Sequence, residues 1–175
     1  MTPGHFAVRD RPHCDVRAAS CEDAESLSEV FRASWTNAYL GLIPHPYLDN
    51  IISRRTPDWW RCALQADSKL LVVQVGNDVA GYATFGKARV RGEYEGEIYE
   101  LYMLPTYQGL GFGEALFEAC RHNIDRAGLS GLVVWALADN SAASDFYWRR
   151  GGRPVGQGFE CFGRLRLKKV AYAWD

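Results

Sequence analysis

The chain has 175 residues, which is enough for one domain with a substantial buried core. Its 47% hydrophobic and 23% charged residues are typical of a globular protein and exclude a disordered or fibrous class. The net charge of -1 provides no basic surface, so we expect a small-molecule or peptide partner and no nucleic acid.

The N-terminal segment and the cysteines indicate where the protein works. Residues 1–14 carry charges, prolines and histidines in place of the apolar core of a signal peptide. No run approaches the roughly 18 apolar residues of a membrane span. The five cysteines form no C-x-x-C pair, and no histidine has a partner at metal-ligand spacing. We expect a cytoplasmic protein without a membrane partner or a metal, with a flexible arm over 1–14 and one domain over 15–175.

The first part of the chain predicts a short strand followed by helices. Residues 15–18 are typical of a strand, and Ser20 is a candidate N-cap for the helix after it. Apolar residues then recur at helical spacing from Leu27 to Trp35. After a proline-containing break, residues 47–64 predict further helix that restarts at Pro57.

The second part of the chain predicts a sheet with helices packed on it. Residues 70–75 and 79–85 are rich in β-branched residues, and the glycine turn between them predicts a hairpin. Strand, helix, strand, helix and strand are then predicted over 97–104, 113–127, 132–137, 141–150 and 164–174. This order favours a mixed sheet with helices against it.

A glycine-rich loop joins the strand that ends at Pro105 to the next helix. It reads Gln108-Gly109-Leu110-Gly111-Phe112-Gly113. Glycine allows close approach of the backbone, and free N–H groups at the positive end of a helix form a site for a pyrophosphate. Gly113-Glu114-Ala115 lacks the Gly-Lys-Ser/Thr of a P-loop. A dinucleotide fingerprint is also excluded, since the spacing is G-x-G-x-G and no acidic ribose contact follows.

This loop resembles the Q/R-x-x-G-x-G/A motif of the GNAT superfamily of acyl-CoA N-acyltransferases at Gln108, Gly111 and Gly113. A second segment, from Asn140 to Tyr147, is similar to the family's N-x-x-A-x-x-F-Y pattern in the expected order and spacing. The resemblance implies an α/β (α+β) GNAT fold, with a mixed, mostly antiparallel sheet of about six or seven strands flanked by helices. In that fold the sheet splays around its fourth and fifth strands, and acetyl-CoA occupies the gap.

The resemblance also implies roles for individual residues. Acetyl-CoA is the cosubstrate, its pyrophosphate lies on the glycine loop, and the backbone of the preceding strand binds the thioester carbonyl. Leu110 departs from the family, since many members carry lysine or arginine at this position. The residues assigned to cofactor binding are Leu101, Tyr102, Met103, Gln108, Gly109, Leu110, Gly111, Phe112, Gly113 and Asn140.

The proton chemistry is assigned to three residues. Tyr147 matches the tyrosine that protonates the coenzyme A sulfur in many relatives, and packing of its ring in the core is the alternative. Glu97 and Glu100 are candidate bases because some relatives carry a catalytic glutamate at these positions. Strand alternation places them on opposite faces unless a β-bulge resets the parity. A water chain that removes the amine proton is the alternative to both.

We therefore expect an N-acetyltransferase that moves an acetyl group from acetyl-CoA to a primary amine of a small molecule or peptide. A catalytically silent acyl-CoA-binding regulatory module and a nucleotide-binding domain are the alternatives. Trp35 and Tyr39 are expected to wall the acceptor side or to pack in the core. The basic cluster Arg149, Arg150 and Arg153 indicates a solvated helix face or a contact with the 3′-phosphate. A homodimer could form by edge-to-edge pairing of residues 164–174.

Overall fold

The computed structural model describes residues 13–66 and 69–175, which form one seven-stranded sheet in the order β1-β2-β3-β4-β5-β7-β6. Its strands are β1 Cys14–Ala18, β2 Leu70–Val75, β3 Asp78–Lys87, β4 Gly96–Met103, β5 Leu132–Leu137, β6 Arg153–Phe162 and β7 Leu165–Trp174. The helices are α1 Ala24–Tyr39, α2 His45–Arg54, α3 Pro57–Gln65, α4 Phe112–Arg126 and α5 Ser141–Arg149. Residues 1–12 of the predicted arm lie outside the described residues, and Cys14 already belongs to β1.

All neighbouring strands are antiparallel except β4 and β5. Parallel neighbours need a crossover connection, and α4 provides it. The mixed, mostly antiparallel sheet predicted from the sequence is therefore confirmed. Among the described residues, no helix is both long and apolar enough to cross a membrane.

Helices cover the two faces of the sheet and bury two apolar clusters. On one face α4 presents Leu116, Phe117 and Cys120, each fully buried against the strands. On the other face α1 buries Leu27 and Phe31 against β2, β3 and α3. Burial of each large apolar side chain contributes about 1.5–3 kcal/mol, so these two stripes hold the helices on the sheet.

Strand β6 was not predicted from the sequence, and the sheet lacks the free edge predicted on β7 along residues 169–173. Strand β6 carries Pro154, Gly156 and Gly158, residues that are depleted in strands and hide its pattern. Residues 169–173 of β7 pair with β5 on one side and with β6 on the other, whereas 165–168 pair only with β6 in the sheet. The predicted edge-to-edge contact of residues 164–174 is therefore wrong along 169–173, and β6 is the edge strand at this end of the sheet.

Candidate active site

The site begins where β4 and β5 separate. They pair only at Gly96–Ile98 with Leu132–Val134, although β4 continues to Met103 and β5 to Leu137. The separation opens a cleft of about 900 Å³ between the strands, the glycine loop and α5. This volume lies within the range of small-molecule sites, roughly 300–1,000 Å³.

A β-bulge at Tyr99 aims the backbone of β4 into this cleft. The register with β3 shifts there, because Phe85 opposes Ile98 whereas Thr84 opposes Glu100. Farther along, the N–H of Leu104 bonds the carbonyl of Ala80. Since hydrogen-bonded pairs alternate in an antiparallel ladder, the backbone of Tyr102 is bonded to β3.

The same alternation leaves the polar backbone groups of Leu101 and Met103 facing the gap toward β5. The Nε2 atom of Gln108 donates to the Met103 carbonyl at 3.2 Å, which agrees with this direction. Two of the three predicted backbone positions therefore present N–H and C=O groups to the cleft, and Tyr102 contributes to its wall.

The glycine loop lies at one end of the cleft. Gly109 and Gly111 have φ of 75° and 90°, a conformation that side-chain-bearing residues rarely adopt. Gly111 is the N-cap of α4, and the N–H groups of residues 112–114 bond no other described residue. The first-turn amides and the helix dipole together suit an anion.

The remaining loop residues divide between core and solvent. Phe112 is 3% exposed and packs in the α4 cluster, so only its backbone can serve a ligand. Leu110 is 51% exposed and brings no charge to the loop. A Cβ at Gly113 would lie 3.3 Å from the Phe146 ring, so glycine lets α5 approach the loop closely.

Tyr147 lies at the boundary between the core and the cleft. Its ring packs against Phe117, Tyr172 and Trp174 in the core, and the residue also lines the cleft. No hydrogen bond joins its hydroxyl to another described residue. Burial raises the pKa of Tyr147, so the phenol stays protonated at neutral pH and can act as a donor.

Glu100 lines the cleft and has both carboxylate oxygens engaged. Its Oε1 accepts from Arg55 at 2.7 Å, and its Oε2 accepts from the Tyr82 hydroxyl at 3.0 Å. The Arg55 guanidinium is stacked 4.0 Å from the centre of the Trp59 ring. Burial raises the pKa of Tyr82 well above its usual value, so this hydroxyl remains a donor to the carboxylate.

Glu97 is not brought to the cleft. It is 1% exposed, and its carboxylate accepts from the backbone N–H and the guanidinium of Arg89 at 2.6–3.1 Å. It does not line the cleft within the described part of the chain. The geometry therefore gives Glu97 a structural ion pair that holds the loop before β4, and favours Glu100 of the two predicted bases.

Asn140 lies at the start of α5, where it has a capping role. Its Oδ1 accepts from the Ala143 N–H at 3.1 Å, as expected of an N-cap asparagine. The residue also lines the cleft, beside Tyr39. The Tyr39 and Tyr102 hydroxyls are 3.0 Å apart, and burial raises the pKa of both phenols. Tyr39 thus lines the cleft, whereas Trp35 packs in the aromatic core beside it.

Sequence reasoning missed the partners of Glu100. Arg55 follows α2, and Tyr82 belongs to β3, far from Glu100 along the chain. No motif marks either residue, because only the packing of α2, α3 and β3 brings them to the carboxylate. No group of three or more potential metal ligands occurs in residues 13–66 and 69–175.

Comparisons with known proteins agree with this geometry. The profile of the Acetyltransferase (GNAT) family matches residues 25–152. An uncharacterized N-acetyltransferase, YuaI of Bacillus subtilis, is 31% identical over 164 residues, which are 91% of each chain. A spermidine N(1)-acetyltransferase of Thermoplasma acidophilum is 25% identical over 148 residues, 78% of this chain and 86% of its own.

Solved structures share the fold. The PaiA N-acetyltransferase from Thermoplasma acidophilum in complex with coenzyme A has a TM-score of 0.73 and 20% identity, over 93% of this chain and 99% of its own. The acetyltransferase YncA from Salmonella typhimurium with acetyl-CoA has a TM-score of 0.66 and 21% identity, over 93% of each chain. The chain therefore belongs to the GNAT acetyltransferase family and is an N-acetyltransferase.

Proposed function

We propose that this enzyme transfers the acetyl group of acetyl-CoA directly to a primary amine of a small molecule or a peptide, within one domain over residues 15–175. The observation that carries the proposal is the parting of β4 and β5 beside a helix whose first-turn amides are free. A ligand there must be extended along the strands and anionic at one end. An acyl-CoA has both properties.

The donor half of the site is built mainly from backbone. Loop residues 108–113 are the proposed site of the diphosphate, because the first-turn amides and the dipole of α4 favour negative charge. The outward-facing groups of Leu101 and Met103 can bond the amides of the donor's arm and its thioester carbonyl. Asn140 supports this wall by starting α5 beside it.

The acetyl-CoA donor supplies an activated thioester. The protein has to accept a proton from the amine and donate a proton to the sulfur. The carbon–sulfur bond breaks as the carbon–nitrogen bond forms, the amine loses a proton and the sulfur gains one. Tyr147 is the proposed proton donor to the sulfur. Glu100 is the proposed acceptor of the amine proton, directly or through a water, because each engaged oxygen retains a lone pair.

A thiol-release assay tests this proposal. The purified protein is given acetyl-CoA and a panel of polyamines, amino acids and short peptides with free N-termini. We expect thiol release that depends on the amine. Tyr147→Phe should lower kcat by roughly 100-fold or more, since a positioned general acid contributes on the order of 10²–10⁴-fold. The affinity for acetyl-CoA, measured by calorimetry, should stay within about twofold because the ring is retained.

Two results would contradict the proposal in different ways. If acetyl-CoA does not bind, or if ATP or NAD binds in preference, the cleft has been assigned to the wrong ligand. If acetyl-CoA binds but no amine accelerates thiol release, and Tyr147→Phe changes nothing, the chain is a silent acyl-CoA-binding module.

A further inference from the structure

A partly buried arginine lies beside the glycine loop. Arg150 directly follows α5, lines the cleft, and has only 16% of its side chain exposed. Its Nε atom is buried without a hydrogen-bond partner among the described residues. Burial lowers the pKa of Arg150, because partial desolvation disfavours the charged form. A cation that is partly removed from water is stabilised when an anion lies against it.

The protein itself compensates this charge weakly. The nearest carboxylate oxygen among the described residues belongs to Glu114, 3.8 Å from Nη2, and the Glu114 side chain is 56% exposed. Because the Glu114 carboxylate is exposed and the distance is long, this pair contributes no more than about 1 kcal/mol. The Nη1 atom donates to the Phe146 carbonyl at 3.0 Å, which satisfies one donor but neutralises no charge.

The guanidinium is held in place next to the loop. It stacks over the Phe146 ring at 3.6 Å from the centroid, and the same ring abuts Gly113. The Trp174 indole N–H bonds the Arg150 carbonyl at 2.8 Å and fixes the backbone. A fixed, planar cation therefore lies beside the N-terminus of α4, where the exposed Leu110 provides no charge.

We propose that Arg150 binds the diphosphate of the acyl-CoA donor and provides the positive charge that the loop lacks at Leu110. This inference rests on the proposed function. The diphosphate is the group expected at the α4 N-terminus, which the guanidinium adjoins through Phe146 and Glu114. A guanidinium offers paired donors that match phosphate oxygens, so the two Nη groups of Arg150 can engage two oxygens together.

Calorimetry with coenzyme A and dephospho-coenzyme A tests the assignment on the full chain. These ligands share the diphosphate and differ in the 3′-phosphate. Arg150→Met keeps the length and the apolar packing of the aliphatic part of the side chain. It should weaken the binding of both ligands equally, by roughly 10- to 100-fold, because a charge-assisted bidentate contact is lost. The dependence of log Kd on log salt should also become shallower than in the wild type.

Matched variants keep the result interpretable. Arg153→Met removes a neighbouring arginine that stacks on Trp148 and does not line the cleft, so both affinities should stay within about twofold. Arg150→Lys retains the charge but not the paired donors, and an intermediate affinity is expected. If Arg150→Met does not fold, as judged by its thermal unfolding, Arg150→Lys carries the test.

The outcomes separate the inference from the proposed function. Weaker binding of coenzyme A with unchanged binding of dephospho-coenzyme A would assign Arg150 to the 3′-phosphate and overturn the diphosphate assignment. Unchanged binding of both ligands would overturn any phosphate contact. If the wild type binds neither ligand, it is the proposed function that fails.

Discussion

At the scale of single residues, the two glutamates of β4 show how one strand carries two different carboxylates. Glu97 is fully buried and bonded to Arg89, whereas Glu100 lies at the cleft with Arg55 and Tyr82. Both carboxylates therefore have a cationic partner. What distinguishes them is access to the cleft, since Glu97 lies where β4 still pairs with β5 and Glu100 lies beyond their separation.

Glutamine substitutions at both positions measure this difference. Glu100→Gln should lower kcat with the best amine by on the order of 100-fold, because an amide cannot accept the amine proton. Glu97→Gln should act mainly on stability, lowering the free energy of unfolding by about 1–3 kcal/mol, because a buried amide has one acceptor oxygen where the carboxylate uses two. Steady-state kinetics and urea unfolding of the two variants check this. If neither variant loses kcat, a water chain removes the proton.

At the scale of elements, α4 is flanked by two glycines with left-handed backbone conformations. Gly111 at its start has φ of 90° and Gly128 beyond its end has φ of 72°, and an added Cβ would meet nothing within 4 Å at either site. Substitution at each therefore has a conformational cost of about 1–2 kcal/mol and no steric cost. The two positions differ in whether their backbone lines the cleft.

Alanine at each end of α4 separates the phosphate site from helix stability. Gly111→Ala should weaken acetyl-CoA binding by roughly tenfold or more, since relaxing the strained φ re-aims the loop amides. Both substitutions should lower the melting temperature to a similar extent. Gly128→Ala should leave the affinity for acetyl-CoA unchanged. Calorimetry and thermal unfolding distinguish the two effects. Equal affinity in both variants would argue against the loop as the anion site.

Local patterns predicted the elements well because each depends on near neighbours. The hairpin, α4, β5 and α5 follow from turn residues and apolar periodicity, and the glycine loop from its spacing. β6 could not be predicted, since Gly156 and Gly158 weaken the strand pattern and Pro154 is tolerated mainly at a sheet edge, which is a property of the assembled sheet. The placement of Glu100 depended on a bulge that alternation alone does not reveal.

At the scale of the whole molecule, an ion pair joins β1, one of the two edge strands, to the start of α1. Arg17 of β1 makes two bonds of 2.8 Å to Asp23, whose carboxylate also accepts from the Ser20 N–H. The hydrogen bonds from Arg17, opposed in part by burial, hold the pKa of Asp23 below its usual value. The pair therefore stabilises the fold above the unfolded-state pKa of about 3.9, and this stabilisation is lost as the pH falls through the lower folded-state pKa.

Asp23→Asn should reveal this dependence. At pH 7 the substitution should lower the free energy of unfolding by about 1–3 kcal/mol, because Asp23 is buried and its partners lose an acceptor. Below about pH 4 the difference from the wild type should shrink. Asp58→Asn is the control, since that exposed pair with Arg61 should contribute less than about 1 kcal/mol. Urea titrations at both pH values check the result, and a pH-independent difference would contradict it.

The separation of β4 and β5 gives the sheet two edges in its interior. An exposed edge invites any extended peptide to pair with it, and proteins usually protect such edges. Here the two edges face each other across the cleft. We expect an extended ligand with its own amide groups to bond there as an added strand would. The backbone alone would then favour an extended ligand.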